Sequence, residues 1–85
     1  MKIEPNELKQ ARDRIMRARG QLFGIVKMID EGRDCTELLT QLAAANRALD
    51  KAGFAIISIG MSKCSQTGAD PAEMKVLEKA FLTLA

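Results

Sequence analysis

Two cysteines, Cys35 and Cys64, are the residues of this chain best suited to chemistry, and no histidine accompanies them. Thiolates exchange with disulfides and polysulfides and bind soft metals such as Cu(I). Without histidine the usual general base is missing, and no glycine-rich phosphate loop, nucleophile elbow or paired-carboxylate constellation takes its place. The chain reads as a non-enzyme. The thiols stand 29 residues apart, at opposite ends of what the pattern predicts to be one long helix. At about 1.5 Å of rise per residue, such a helix holds them roughly 43 Å apart within one subunit. They can meet only across a subunit interface. If the helix pairs antiparallel with its copy, the start of one lies beside the end of the other, and each dimer carries two mixed Cys35/Cys64 sites. The spacing points to an oligomeric thiol sensor.

Three helices must position these groups. The first, expected over about residues 5–31, opens at Pro5, whose fixed φ suits a first helical position. It carries Leu8, Ala11, Ile15, Ala18, Leu22, Ile25 and Ile29 at alternating steps of three and four, a coiled-coil-like seam. It stops at Gly32, a residue suited to the left-handed conformation after a helix end. The second, expected over about 35–63, opens with Asp34-Cys35-Thr36-Glu37, where Asp34 can cap free backbone N–H groups and Glu37 can reach back in a capping box. Leu38, Leu42, Ala45, Leu49, Ala52, Ile56 and Ile59 repeat the seam. Leu39, Ala43 and Ile57 widen it beyond what one neighbouring helix covers. Gly53 and Gly60 each cost this helix about 1 kcal/mol relative to Ala, so both mark places where it could bend or end. A polar loop, Ser65 to Ala69, leads to a second cap, Asp70-Pro71-Ala72-Glu73. The third helix, expected over about 71–84, shows one apolar stripe of Met74, Leu77, Phe81 and Leu84. The expected class is all-α, with 1–85 as a single domain.

Eighty-five residues are marginal for a core built by one copy alone. There is no Trp or Tyr and only three Phe, so Leu, Ile, Ala and Met packed between helices must form the core, and oligomerisation is the expected source of extra burial. No stretch approaches the roughly 20 apolar residues of a membrane span, and no apolar run follows the acidic N-terminus. A cytoplasmic location is expected. In a reducing compartment two cysteines are more often free thiols, metal ligands or redox centres than a structural disulfide.

The net charge of +2 hides an uneven distribution. Between Lys9 and Lys27 stand Lys9, Arg12, Arg14, Arg17, Arg19 and Lys27 against the single acid Asp13. From Met28 to Asp50 the balance reverses. The bland account of the basic stripe is a solvated helix face; the sharper one is an anionic partner.

The run from Arg14 to Ile25, followed by Met28-Ile29-Asp30-Glu31-Gly32-Arg33-Asp34-Cys35 and Leu39-Thr40-Gln41-Leu42-Ala43-Ala44, resembles the CsoR/RcnR/FrmR family of bacterial transcriptional repressors. The likeness covers the chain from the first helix to Cys64. It implies a three-helix subunit, an antiparallel dimer with a four-helix core, a dimer of dimers, and operator DNA bound without a helix-turn-helix. Metal-sensing members hold their effector with a Cys at the start of the second helix and, from the other subunit, a His and a Cys four residues apart near its end. Cys35 matches the first and Cys64 the last, whereas the His position falls on Gly60, which offers no donor. A three-coordinate Cu(I) site cannot form as such, and nitrogen-rich nickel or cobalt sites are further out of reach. Linear Cu(I) on two thiolates stays open.

The subgroup that fits better is the Cys-pair, CstR-like persulfide sensors, in which reactive sulfur species join cysteines of different subunits through di- to tetrasulfide bridges and DNA is released. No cofactor is expected. A formaldehyde sensor of the FrmR type normally has proline after the initiator Met, and this chain has Lys2. The chemistry of their positions makes the thiols unequal: Cys35, at a helix N-terminus with Arg33 nearby, is the candidate for attack on a polysulfide. Cys64, toward a helix C-terminus whose dipole opposes ionisation and Lys63 partly offsets, is then the resolving thiol. The resemblance assigns Arg14, Arg17 and Gln21 to DNA, with Arg47 and Lys51 extending the charge onto the second helix; their task would be phosphate neutralisation. Arg19 stands where the family usually has an acid and Phe23 where it has a basic residue, which redistributes the basic face. The remaining alternative, a purely structural helical dimer, explains the apolar seams and nothing else.

Overall fold

The computed structural model describes residues 2–68 and 70–85. A 3-10 turn, Pro5–Leu8, runs into α1, Lys9–Asp30; α2 spans Cys35–Thr67 and α3 spans Pro71–Leu84. Helices are the only regular elements among the described residues.

Local chemistry sets the boundaries. Gly32 takes φ +71°, its N–H donates to the Ile29 carbonyl at 3.1 Å and the Arg33 N–H donates to the Met28 carbonyl at 3.0 Å. This pair of bonds is the Schellman closure of α1, and it turns the chain back on itself. Asp34 then caps α2, its Oδ2 accepting from the Thr36 N–H at 3.0 Å. The expected capping box does not form, because the Glu37 carboxylate instead accepts from Arg33. At the far end α2 runs past residue 63, through Cys64, Ser65 and Gln66 to Thr67. The helix ends on Gly68, left-handed at φ +64°, whose N–H donates to the Cys64 carbonyl. Most of the expected polar loop is therefore helix; Ala69 lies outside the described residues. Asp70 caps α3 through the Ala72 N–H at 2.9 Å, with Pro71 in the first turn.

Neither Gly53 nor Gly60 interrupts α2. A Cβ at Gly53 would stand 2.5 Å from Leu84 Cδ1, so the missing side chain is a seat for the end of α3. One turn away the rings of Phe54 and Phe81 meet at 5.5 Å, tilted by 60°. These two contacts make α3 antiparallel to the C-terminal half of α2.

The α1/α2 hairpin closes over small residues. Ala11, Ala18 and Ile25 on α1 and Ala45, Ala52, Ile57 and Cys64 on α2 are buried, and among the described residues no large side chain is fully enclosed. The expected seam of α1 splits in two. Its Ala11, Ala18, Ile25 row faces α2, and its Ile15, Leu22, Ile29 row stays exposed. Leu39, Leu42 and Leu49 of α2 are exposed as well. At about 100° per residue, Ile15, Leu22 and Val26 lie to one side of the buried row of α1, and Gln10, Arg14 and Arg17 to the other. In an antiparallel hairpin like sides coincide. The subunit is an elongated plate of 53 × 25 × 13 Å, with one apolar face half covered by α3 and one polar face.

Candidate functional site

On the polar face a groove of about 560 Å³ runs between α1 and α2, lined by Arg14 and Arg17 from one helix and Arg47 and Lys51 from the other. Its floor is Ala44 and Ala48; two small residues one turn apart leave the space open. Among the described residues no ion pair engages the four cations. The one acid in the lining, Asp13, is held by Lys9 at 3.4 Å. Four uncompensated cations around a concave floor favour a polyanion with spaced charges. Gln21 does not join them. Its Oε1 is buried with no hydrogen-bond partner among the described residues, a state that costs about 1–3 kcal/mol.

The thiols occupy the other face. Twenty-nine residues are within about 20° of eight full helical turns, so Cys35 and Cys64 share one side of α2, the side of Leu39, Leu42 and Leu49. Cys35, the first residue of α2, is exposed; Cys64 is buried at 5%. The register set by Leu84 on Gly53 and Phe81 on Phe54 brings the first turns of α3, with half-buried Met74 and Leu77, level with Gly60 and Cys64.

The cations next to both thiols are committed elsewhere. Arg33 donates from Nε to Glu37 Oε2 at 3.0 Å and from Nη2 to Oε1 at 3.3 Å, with Glu31 at 3.7 Å. The Glu37 hydrogen bonds raise the guanidinium above its ordinary range. Lys63 lies 2.9 Å from Glu7. Arg33 and Lys63, which the sequence places next to the two thiols, are thus each paired with a carboxylate. Two relationships carried no sequence signal, the Glu7–Lys63 pair and the Leu84–Gly53 contact. The Ala44/Ala48 floor could have been found, being two small residues at helical spacing opposite Arg14 and Arg17.

A metal would find few donors. Among the described residues no three His, Cys, Asp or Glu side chains gather into a metal-holding group, and Gly60 is buried in α2 without a ligand atom.

A family model described as metal-sensitive transcriptional repressor matches residues 7–84. The chain is 37% identical over 46 residues to the uncharacterized protein YrkD of Bacillus subtilis (strain 168), covering 54% of this chain and 73% of that protein. It is 35% identical over 51 residues to the copper-sensing transcriptional repressor RicR of Mycobacterium tuberculosis (strain ATCC 25618 / H37Rv), covering 60% of this chain and 53% of that one, about half its length. No solved structure matches. No helix of the described residues is long and apolar enough to cross a membrane.

Proposed function

This chain belongs to the family of metal-sensitive transcriptional repressors, which are not enzymes, and from that membership we propose that it binds DNA as an assembly of copies and releases it when cysteines of two copies are joined by sulfur. One observation carries the thiol reading: Cys35 and Cys64 lie on the same apolar face of a single unbroken helix, too far apart to meet within it, in a chain without histidine.

The surface of one copy supports the assembly. One copy exposes 6379 Å², where a compact monomer of this mass would expose about 5000 Å². Its radius of gyration is 16.2 Å, against about 12 Å for a compact chain of this length. The exposed Ile15, Leu22, Leu42 and Leu49 form the face a second copy would cover. Antiparallel pairing that sets Cys35 beside the partner copy's resolving thiol puts the two-fold axis midway between them, at Leu49 and Asp50. The polar grooves then point away from the interface, and Arg14, Arg17, Arg47 and Lys51 serve to neutralise DNA phosphates.

In the switch, the Cys35 thiolate attacks a sulfane sulfur of a hydropolysulfide. One S–S bond breaks, the shortened hydropolysulfide leaves, and Cys35 carries a persulfide. Attack by the Cys64 thiolate of the other copy on the Cys35 sulfur expels hydrosulfide and leaves a disulfide. If Cys64 is itself persulfidated, the same displacement leaves a trisulfide. The polysulfide is the oxidant throughout. A second reading, Cu(I) held linearly by the same two thiolates, is favoured by the likeness to the copper-sensing RicR.

Intact, non-reduced mass after anaerobic polysulfide treatment tests the first reading. Linked dimers, bridged by a disulfide or, where Cys64 is also persulfidated, carrying one added sulfur, and absent from Cys35→Ala, are expected, together with loss of binding to a duplex selected from a random pool and recovery on reduction. Cu(I) competition against a strong chelator tests the second; tight binding with no sulfur-linked dimers would replace the first reading by it. Binding should fall steeply with salt, and Arg14→Ala or Arg17→Ala should lower that slope by about one each. Binding indifferent to salt would remove the repressor reading.

A further inference from the structure

The outward edge of α1 carries a feature that the groove does not explain. Phe23 is 76% exposed. Together with Met16 it lies roughly 140–160° around α1 from the buried row, at the crest of the plate's edge. Arg12 and Arg19 stand along one flank of that crest, Arg17 along the other, and Lys27 continues the crest. All four cations are exposed and, among the described residues, none makes an ion pair.

Resting on the DNA-binding reading above, we propose that this edge of α1 seats in the major groove of duplex DNA, with Phe23 and Met16 toward the base edges and the flanking arginines on the phosphates of the two bordering strands. Three observations support a duplex as the occupant. A helix with its side chains is about 10–12 Å across, and the major groove is about 12 Å wide. Cations on both flanks of a narrow crest match a cleft bordered by two phosphate chains. A second copy would bring the same unpaired cations to the contact, and a crest of two apolar residues is too small to outweigh their repulsion. Seated so, the strand beside Arg17 also borders the groove between α1 and α2, so both surfaces would grip one duplex. Phe23 can contact the methyl group of thymine, which distinguishes bases in this groove.

The test uses the full chain and a labelled duplex recovered by selection from a random pool, in thymine and uracil forms. Arg12→Ala and Arg19→Ala are each expected to reduce the salt slope of binding by about one. Phe23→Ala is expected to weaken binding to the thymine duplex about tenfold and to abolish the preference for thymine over uracil. If all three variants bind like wild type while Arg14→Ala still reduces the slope, the edge proposal is overturned and the repressor reading stands. If wild type itself shows no salt-dependent binding, both fall. A changed native mass in Phe23→Ala, with its circular dichroism intact, would assign the crest to contacts between copies and overturn the proposal.

Discussion

Leu84 Cδ1 sits 2.5 Å from the place a Cβ would occupy at Gly53, so the last turn of α3 is docked into a gap that only glycine leaves in α2. Two effects then compete in Gly53→Ala. The helix gains about 1 kcal/mol of propensity, and the leucine tip must move, at a cost in the range of about 1–3 kcal/mol for an overpacked site. Net stability should fall slightly or stay level. In a Leu84→Ala background the obstacle is gone, and the same substitution should stabilise by up to about 1 kcal/mol. Urea unfolding of the four-member cycle measures the change of sign.

The same contact bears on Cys64, which is buried on the side of α2 along which the register of α3 runs. Loosening α3 with Leu84→Ala should speed alkylation of Cys64 several-fold and leave the exposed Cys35 unchanged. Peptide mass spectrometry after timed iodoacetamide exposure separates the two. Equal rates at both cysteines in the wild type would mean that α3 does not shield the thiol.

Signals confined to a few neighbouring residues were legible in the sequence. Gly32 closing α1, Asp34 capping α2 and Asp70-Pro71 opening α3 all stand as expected, because each acts within one turn. Signals that need a distant partner were not. Gly53 looked like a weak point in α2, and its reason, Leu84, is 31 residues away. Residue 63 reads as a helix end because Gly60 stands just before it and a polar run follows, yet the true stop is Gly68, where the backbone turns left-handed. A seven-residue period identifies a stripe and does not say which half a neighbour covers, so Ile15 and Leu22 could not be told from Ala11 and Ala18. Of the residues assigned to DNA, Arg14, Arg17, Arg47 and Lys51 meet in one groove, whereas Gln21 has its carbonyl oxygen buried.

Glu7 and Lys63, 2.9 Å apart and each about one third exposed, tie the 3-10 turn to the last turns of α2. Solvent screening limits such a pair to at most about 1 kcal/mol. Glu7→Gln should therefore lower stability by less than that, with the loss shrinking in high salt. The exchanged pair Glu7→Lys with Lys63→Glu should recover most of it in thermal unfolding, unless the segment is held mainly by Leu8 and its apolar neighbours.

Leu49 is 39% exposed and falls beside the proposed two-fold axis. Leu49→Lys would set two like charges close together at the centre of an apolar interface. Sedimentation velocity should show a shift toward the monomer, accompanied by weaker DNA binding. An unchanged mass would mean that the copies associate through another face.

The decisive relationship remains the one between Cys35 and Cys64, and mixing two inactive variants isolates it. Neither Cys35→Ala nor Cys64→Ala can form the mixed bridge alone, since each lacks one partner at both sites. A heterodimer of the two keeps Cys35 on one copy and Cys64 on the other, so one intact site reappears while the second is doubly empty. Co-refolded variants treated with polysulfide should give linked heterodimers with one bridge, where wild type gives two. A bridge within one chain would predict none, because no single polypeptide in the mixture holds both sulfurs. The unbroken helix from Cys35 to Thr67 makes that second outcome demand a fracture of α2, whereas the first leaves every helix where it is.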